Sequence, residues 1–287
     1  MVLDMESGIA PRTRALKRFK NPYVNQVLSH PILENMDGEL VVGPANASDV
    51  INRCGELGRH YGEPDFYFHV FDIVVEGLGF TDRQKLLWDR VKLIRERAEL
   101  GDEVFKLLAK RVVPVYQTEI ENLGLLDRYE SACLLNGYEG VMLRSPHGAY
   151  KFGRSTVREG GLVKVKRFVD SECEILEALP AMENLNEKEV NALGLTERST
   201  KKSGKVQKEM IGRFHVRELE GKGTGENGER KEFYIGPGVM DHNTRIALWS
   251  VRDSLKGSIA KFKHFPHGAK DVPRHGSFLA FRSPDDM

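Results

Sequence analysis

The segment EGVMLRSPHGAYKFGRSTVREGGLVKVKRF, Glu139 to Phe168, carries more chemistry than any other part of this chain. Its last strand-like run, LVKVKRF, alternates with a period of two. That geometry turns Val163 and Val165 to one side and places Lys164 and Lys166 together on the other. Two ammonium groups on one face repel unless an anion or a carboxylate such as Glu139 sits between them, and a nucleotide phosphate suits that position.

Outward from this segment, short strand-like runs (DGELVV, FYFHVFDIV, VVPVYQT, GVMLR, LVKVKRF) alternate with two helical segments, a pattern for an α+β domain from Met1 to about Asp170. The first helix reads as a capping box, Thr81-Asp82-Arg83-Gln84, followed by Leu87, Val91, Ile94 and Ala98 on one face until Gly101. The second runs from about Asn122 to Asn136, stops at Gly137, and delivers the chain into Glu139.

From about Ser171 the composition shifts to strands separated by polar loops, with a helix near Asp241 to Leu255 begun by an Asp cap. ECEILEALP, MIGRFHVREL, EFYIG, SIAKFKHF and SFLAFR are five strands, the number in a small oligonucleotide-binding (OB) β-barrel. Two domains are therefore expected, 1–170 and 171–287.

The formal net charge is only +1, but the cations are clustered. Arg12, Arg14, Lys17, Arg18 and Lys20 form one group. Arg198, Lys201, Lys202, Lys205 and Lys208 form a second, in a Ser/Thr/Gly-rich loop. Lys256, Lys261, Lys263, Lys270 and Arg274 form a third. Singly, such runs are solvated surface, and only what surrounds them can point to a phosphate backbone. Cys54, Cys133 and Cys173 are widely spaced without C-x-x-C, so neither a disulfide framework nor a zinc site is indicated, and a reducing compartment is expected. No apolar run is long enough for a membrane helix, and no signal-peptide pattern follows Met1. GTGENG (Gly223 to Gly228) fits G-x-G-x-x-G but leads into a strand-like run, so it reads as a hairpin loop. KSGKV lacks the remaining features of a P-loop and reads as a basic loop.

Glu139 to Phe168 resembles the fourth and fifth motifs of the ATP-dependent DNA ligases, the small phage-type enzymes of the covalent nucleotidyltransferase superfamily. The upstream motifs follow in order: Thr13 and Arg14 in TRALKRFKNPYV, Asp37-Gly38-Glu39-Leu40, then Phe71-Asp72 in FHVFDIV. Downstream, ALGLTERSTKKSGK, IGPGV, LWSVRDSLKG and FPHGAKDVPRHGSFLAFR resemble the OB domain of the same ligases. The resemblance implies an adenylation domain followed by an OB-fold, and sealing of 3′-hydroxyl/5′-phosphate nicks in duplex DNA with ATP and Mg²⁺. It implies that Glu139 helps bind the metal, that Lys164 and Lys166 hold the AMP phosphate, that Glu39 hydrogen-bonds the ribose, and that Phe71 stacks on adenine. It further implies that Arg14 contacts the 5′-phosphate and that Lys270 and Arg274 orient pyrophosphate. After Pro273-Arg274 this chain has His275-Gly276 where the family often continues with an aromatic and a proline. Tyr150, Lys151 and Arg154 are further candidate DNA or nucleotide contacts.

The family's K-x-D-G motif, whose lysine carries the AMP, does not occur in the sequence. The expectation is a start inside the adenylation domain, with a sheet edge exposed, and a monomer in the cytoplasm of a bacterial or phage-infected bacterial cell. The rival expectations are a non-catalytic nick-binding remnant and a related RNA ligase or capping nucleotidyltransferase.

Overall fold

The computed structural model describes residues 1–3, 8–43, 54–219, 230–265 and 272–283, and divides the chain into two units, Met1–Lys166 and Arg167–Met287.

In the first unit, a short ladder of β1 (Val2–Leu3) with β2 (Ala10–Pro11) precedes α1 (Pro22–Leu28). The helix is capped by Asn21, whose side-chain oxygen accepts from the Val24 amide at 3.0 Å, with proline at its start. A three-stranded sheet follows: β3 (Met36–Val42), β4 (Phe66–Ile73) and β5 (Val112–Pro114), with β4 central. β3 and β4 pair antiparallel, while β4 and β5 run parallel. A parallel pair needs a crossover, supplied by α2 (Phe80–Glu99) and α3 (Glu103–Arg111). Alternate residues of β4, Phe66, Phe68 and Val70, meet Leu87, Val91 and Ile94 of α2 and Leu108 of α3 in one apolar core.

α2 keeps the predicted apolar face but not the predicted cap. Gly79 is its N-cap and makes no side-chain hydrogen bond. The Thr81 amide is satisfied by the Pro146 carbonyl at 2.9 Å, and Gln84 donates to the Phe71 carbonyl at 2.8 Å. Tertiary partners have claimed the groups a capping box would use. α4 (Leu123–Leu135) is capped by Asn122 and followed by Gly137 at φ +82°. It leads to the antiparallel pair β6 (Val141–Arg144) and β7 (Leu162–Val165).

In the second unit, β8 (Val169–Asn184) and β11 (Lys205–Glu218) are long antiparallel neighbours. Between them lies a hairpin of β9 (Lys188–Val190) and β10 (Thr196–Arg198), where the sequence suggested only a loop. With β12 (Glu232–Ile235), β13 (Ile259–Phe265) and β14 (Arg274–Phe281) the five main strands form an antiparallel sheet in the order β12-β11-β8-β13-β14. These are the five strands expected for the OB β-barrel, and among the described residues no ladder joins β12 to β14. A single parallel bridge, Gly236 to Ser277, brings the edges together, because β12 has only four residues to offer. The core is Cys173, Ile175, Ile211, Phe214, Val216, Phe233, Ala260, Phe262 and Phe278. α5 (His242–Ser250) is capped by Asp241 and is shorter than predicted, the chain tightening to a 3₁₀ turn at Arg252–Leu255. The Gly223 to Gly228 loop lies outside the described residues.

Candidate functional site

Two structural pieces of the first unit carry Glu39, Phe71, Glu139, Lys164 and Lys166. On the β3–β4 sheet, Glu39 stands opposite His69 in register. Gly38 is required beside it: a Cβ there would lie 2.4 Å from the His69 carbonyl oxygen. The register shifts between Asp37 and Gly38, leaving Phe71 as the extra residue of a bulge on β4. A bulge re-aims side chains, and the half-buried Phe71 ring is followed by two buried residues, Asp72 and Ile73.

On the β6–β7 pair, Lys164 stands opposite Met142, and both are exposed. Glu139 forms an ion pair with Lys166. The approach depends on Gly140, whose φ is +143° and whose Cβ would lie 2.2 Å from the Val165 carbonyl oxygen. Lys164 and Lys166 lie close enough to perturb one another. Desolvation first, then the charge of Lys166, holds the Lys164 pKa below the usual lysine range, with Glu139 and Glu39 pulling it back up. Lys164 therefore feels carboxylates from both pieces, β3 and the turn before β6.

The two pieces are tied together by groups whose role the sequence did not disclose. Asp72, fully buried, receives Arg83 Nε of α2 at 2.8 Å and Nη2 at 3.1 Å, and also pairs with Arg144 at the end of β6. Arg83, itself buried, donates onward to the carbonyls of Leu78 at 2.6 Å and Gly148 at 2.9 Å. The Arg144 guanidinium lies 5.4 Å from the Phe71 ring centroid and 4.9 Å from that of Phe80. Tyr150, read from sequence as a possible ligand contact, donates its hydroxyl to Asp37 at 2.9 Å; burial first, then the Asp37 charge, pushes its pKa up. Tyr150 braces the loop against β3. Lys151 pairs with Glu159 in the same loop.

His69 is a site neighbour absent from the sequence-based set. Burial lowers its pKa, and facing Glu39 opposes that shift. Its signal was the period of β4, which puts His69 and Phe71 on the less buried face. Arg14 lies in an exposed turn, and among the described residues no hydrogen bond or ion pair links it to the Lys164 group. Its neighbour Arg12 is buried instead, with burial and the nearby Arg18 charge lowering its pKa. Arg274 begins β14 in the second unit, and Lys270 lies outside the described residues. Among the described residues no three His, Cys, Asp or Glu side chains converge as a metal cage. The three cysteines are free, and no described helix is long and apolar enough to cross a membrane.

The architecture is that of a nucleotidyltransferase domain followed by an OB-fold domain, as in solved DNA ligases. A Lig E DNA ligase structure, reported as DNA binding with a minimal scaffold, matches with a TM-score of 0.57 at 20% identity, over 98% of this chain and 91% of that one. A structure described as Pmar-Lig_PreS3 matches with a TM-score of 0.63 at 18% identity, over 97% of this chain and 60% of that one. The Chlorella virus DNA ligase-adenylate is 26% identical over 98% of this chain and 88% of its own, with a TM-score of 0.44. The shared fold rests on the first two. No protein-family model and no curated protein matches the chain.

Proposed function

We propose that this chain is a DNA ligase of the ATP-dependent, phage type, acting on nicked duplex DNA through an AMP intermediate. The observation that carries the reading is the Lys164, Lys166, Glu139 and Glu39 group. Two amines and two carboxylates from three chain segments influence one another at one place, within a fold shared with DNA ligases. The first unit, Met1–Lys166, serves adenylation and the second, Arg167–Met287, is the OB-fold.

In this reading Lys164 and Lys166 hold the phosphate of AMP and offset charge as it develops. Glu39 accepts a hydrogen bond from the ribose hydroxyl, and the Phe71 ring supports adenine. Arg14, Lys270 and Arg274 serve phosphate and pyrophosphate. In sealing, the 3′-hydroxyl oxygen bonds to the 5′-phosphorus as the bond from that phosphorus to the AMP phosphate oxygen breaks; the hydroxyl proton is released and AMP leaves. Mg²⁺ fits through Glu139 alone, since that ion uses one or two carboxylates and completes its shell with water and substrate phosphates. It would supply charge neutralisation on those phosphates. Arrival of a nucleotide phosphate gives Lys166 an alternative partner and frees the Glu139 oxygens for that role. The K-x-D-G lysine needed to form an enzyme adenylate is not among these residues, so the activity proposed for them is sealing of DNA that is already adenylylated.

The test is sealing of a nicked duplex bearing a 5′-adenylate, with Mg²⁺ and without ATP. Product is expected, falling about 10²- to 10³-fold on Glu139→Ala or Lys164→Ala, the scale seen when one preorganised charge-stabilising group is removed. Folded, DNA-bound protein that yields no product refutes the assignment.

A further inference from the structure

The end of the second unit's sheet carries a feature that the nucleotidyl-transfer site does not use. Phe168, immediately before β8, stacks on Phe265 at the end of β13, with ring centroids 4.6 Å apart and planes at 27°. Despite that contact Phe168 remains 54% exposed. The Lys263 ammonium lies 5.2 Å from its ring centroid. His275, at φ +53°, sets its ring at 90° to Phe265 with centroids 6.0 Å apart, and Phe265 pairs in register with Arg274. Three adjacent strands, β8, β13 and β14, thus bring an open aromatic stack and the Lys263 ammonium to one end of the sheet.

An apolar interior contact would have covered Phe168. A solvated surface would not gather three rings and leave one of them open. Left-handed backbone at a residue with a side chain persists where its surroundings over-determine it, and such positions gather at ligand sites. Aromatic rings beside Lys or Arg suit one ligand chemistry well: a nucleobase with its phosphates, the base stacking on the ring and the cations taking the backbone. A base inside a duplex has both faces covered by its neighbours. Only an unpaired or terminal base can offer a face to Phe168.

We propose that Phe168 and Phe265, with Lys263, form a stacking site for one unpaired nucleotide of a DNA strand. The proposal rests on the nucleic-acid reading above and adds a substrate preference: ends with a frayed or mismatched base bind more tightly than perfectly paired nicks. Lys263 is a flexible cation and can turn from the ring to the phosphate beside a stacked base. Nearby Asp170 pairs with Lys261 at 2.9 Å, which neutralises the carboxylate closest to the site in register.

The experiment uses the full chain and two nicked duplexes, one with a single unpaired 2-aminopurine at the nick and one fully paired. Stacking on Phe168 quenches 2-aminopurine fluorescence. Tighter binding of the unpaired probe with quenching is expected. Phe168→Ala should weaken that binding about tenfold, within the range for one base–aromatic stack, and leave the paired nick within about twofold. Phe168→Leu keeps apolar bulk and should lose the quench, whereas Phe168→Trp should retain it. Equal affinity for both duplexes, or quenching unchanged in folded Phe168→Ala and Phe168→Leu, overturns the site. Sealing of the 5′-adenylated nick is measured in parallel. Absent sealing with Phe168-dependent quenching refutes the ligase reading alone, and intact sealing with Phe168-independent binding refutes the stacking site alone.

Discussion

Gly140 shows how narrowly one residue can set a site. A methyl group at that position would meet the Val165 carbonyl oxygen, and the backbone conformation is one that side chains rarely adopt. Gly140→Ala should therefore push the turn off β7, separate Glu139 from Lys166, and reduce sealing of an adenylylated nick more than it reduces DNA affinity; parallel rate and binding measurements check this. Lys164 permits a second prediction, with a definite sign. Its folded pKa lies below the free-lysine value near ~10.4. Binding of phosphate to the ammonium is then lost at lower pH than for an ordinary lysine. Lys166→Ala removes the neighbouring positive charge, so the alkaline fall in AMP affinity, measured by titration across pH, should move upward. For stability the depressed lysine acts in the same window: the unfolded chain binds more protons there, so stability rises with pH through it. Of these residues the sequence disclosed the lysine pair by strand period alone. The period of β4 put His69 on the more open face, but its pairing with Glu39 depends on a bulge at Phe71 that no local pattern announces.

At the scale of elements, the link between sheet and hairpin is a carboxylate shared by two guanidinium groups. Asp72 reaches α2 through Arg83 and β6 through Arg144, with no water-exposed surface of its own. Removing one partner of a buried pair leaves uncompensated charge, at a cost of about 3–5 kcal/mol. Asp72→Ala should lower the unfolding free energy by that order in a denaturant titration, while Asp82→Ala, on the exposed side of the same helix, should change it little. Helix ends illustrate what a sequence tells reliably. Asn122 and Asp241 cap where the pattern placed them, since their short side chains meet amides two or three residues on. α3, by contrast, went unread, although Asp102 caps it and Leu108 faces the core. Its nine residues follow α2 so closely that the apolar period reads as ending at Gly101 rather than restarting.

At the scale of the molecule, each unit has its own buried cluster, so a fragment spanning 167–287 should unfold cooperatively by circular dichroism. A gradual, non-cooperative melt would show that this unit depends on the first. The change from α+β to strands near residue 170 was legible because composition changes there. The five main OB strands were legible as well, each with alternating apolar positions. The β9–β10 hairpin was not, because three-residue strands with exposed side chains carry no such alternation.

The bridge from Gly236 to Ser277 has a consequence for how the second unit breathes. The Gly236 amide donates to the Gly276 carbonyl at 2.8 Å and the Phe278 amide to the Gly236 carbonyl at 3.0 Å, with the Val239 amide reaching the Phe278 carbonyl at 3.3 Å, a short seam where a full ladder is missing. Such a seam parts without disturbing the β8–β11 pairing behind it. In deuterated water the Gly236 and Phe278 amides should exchange well ahead of those of Ile211 to Val216, so that the apolar interior is first wetted from this side.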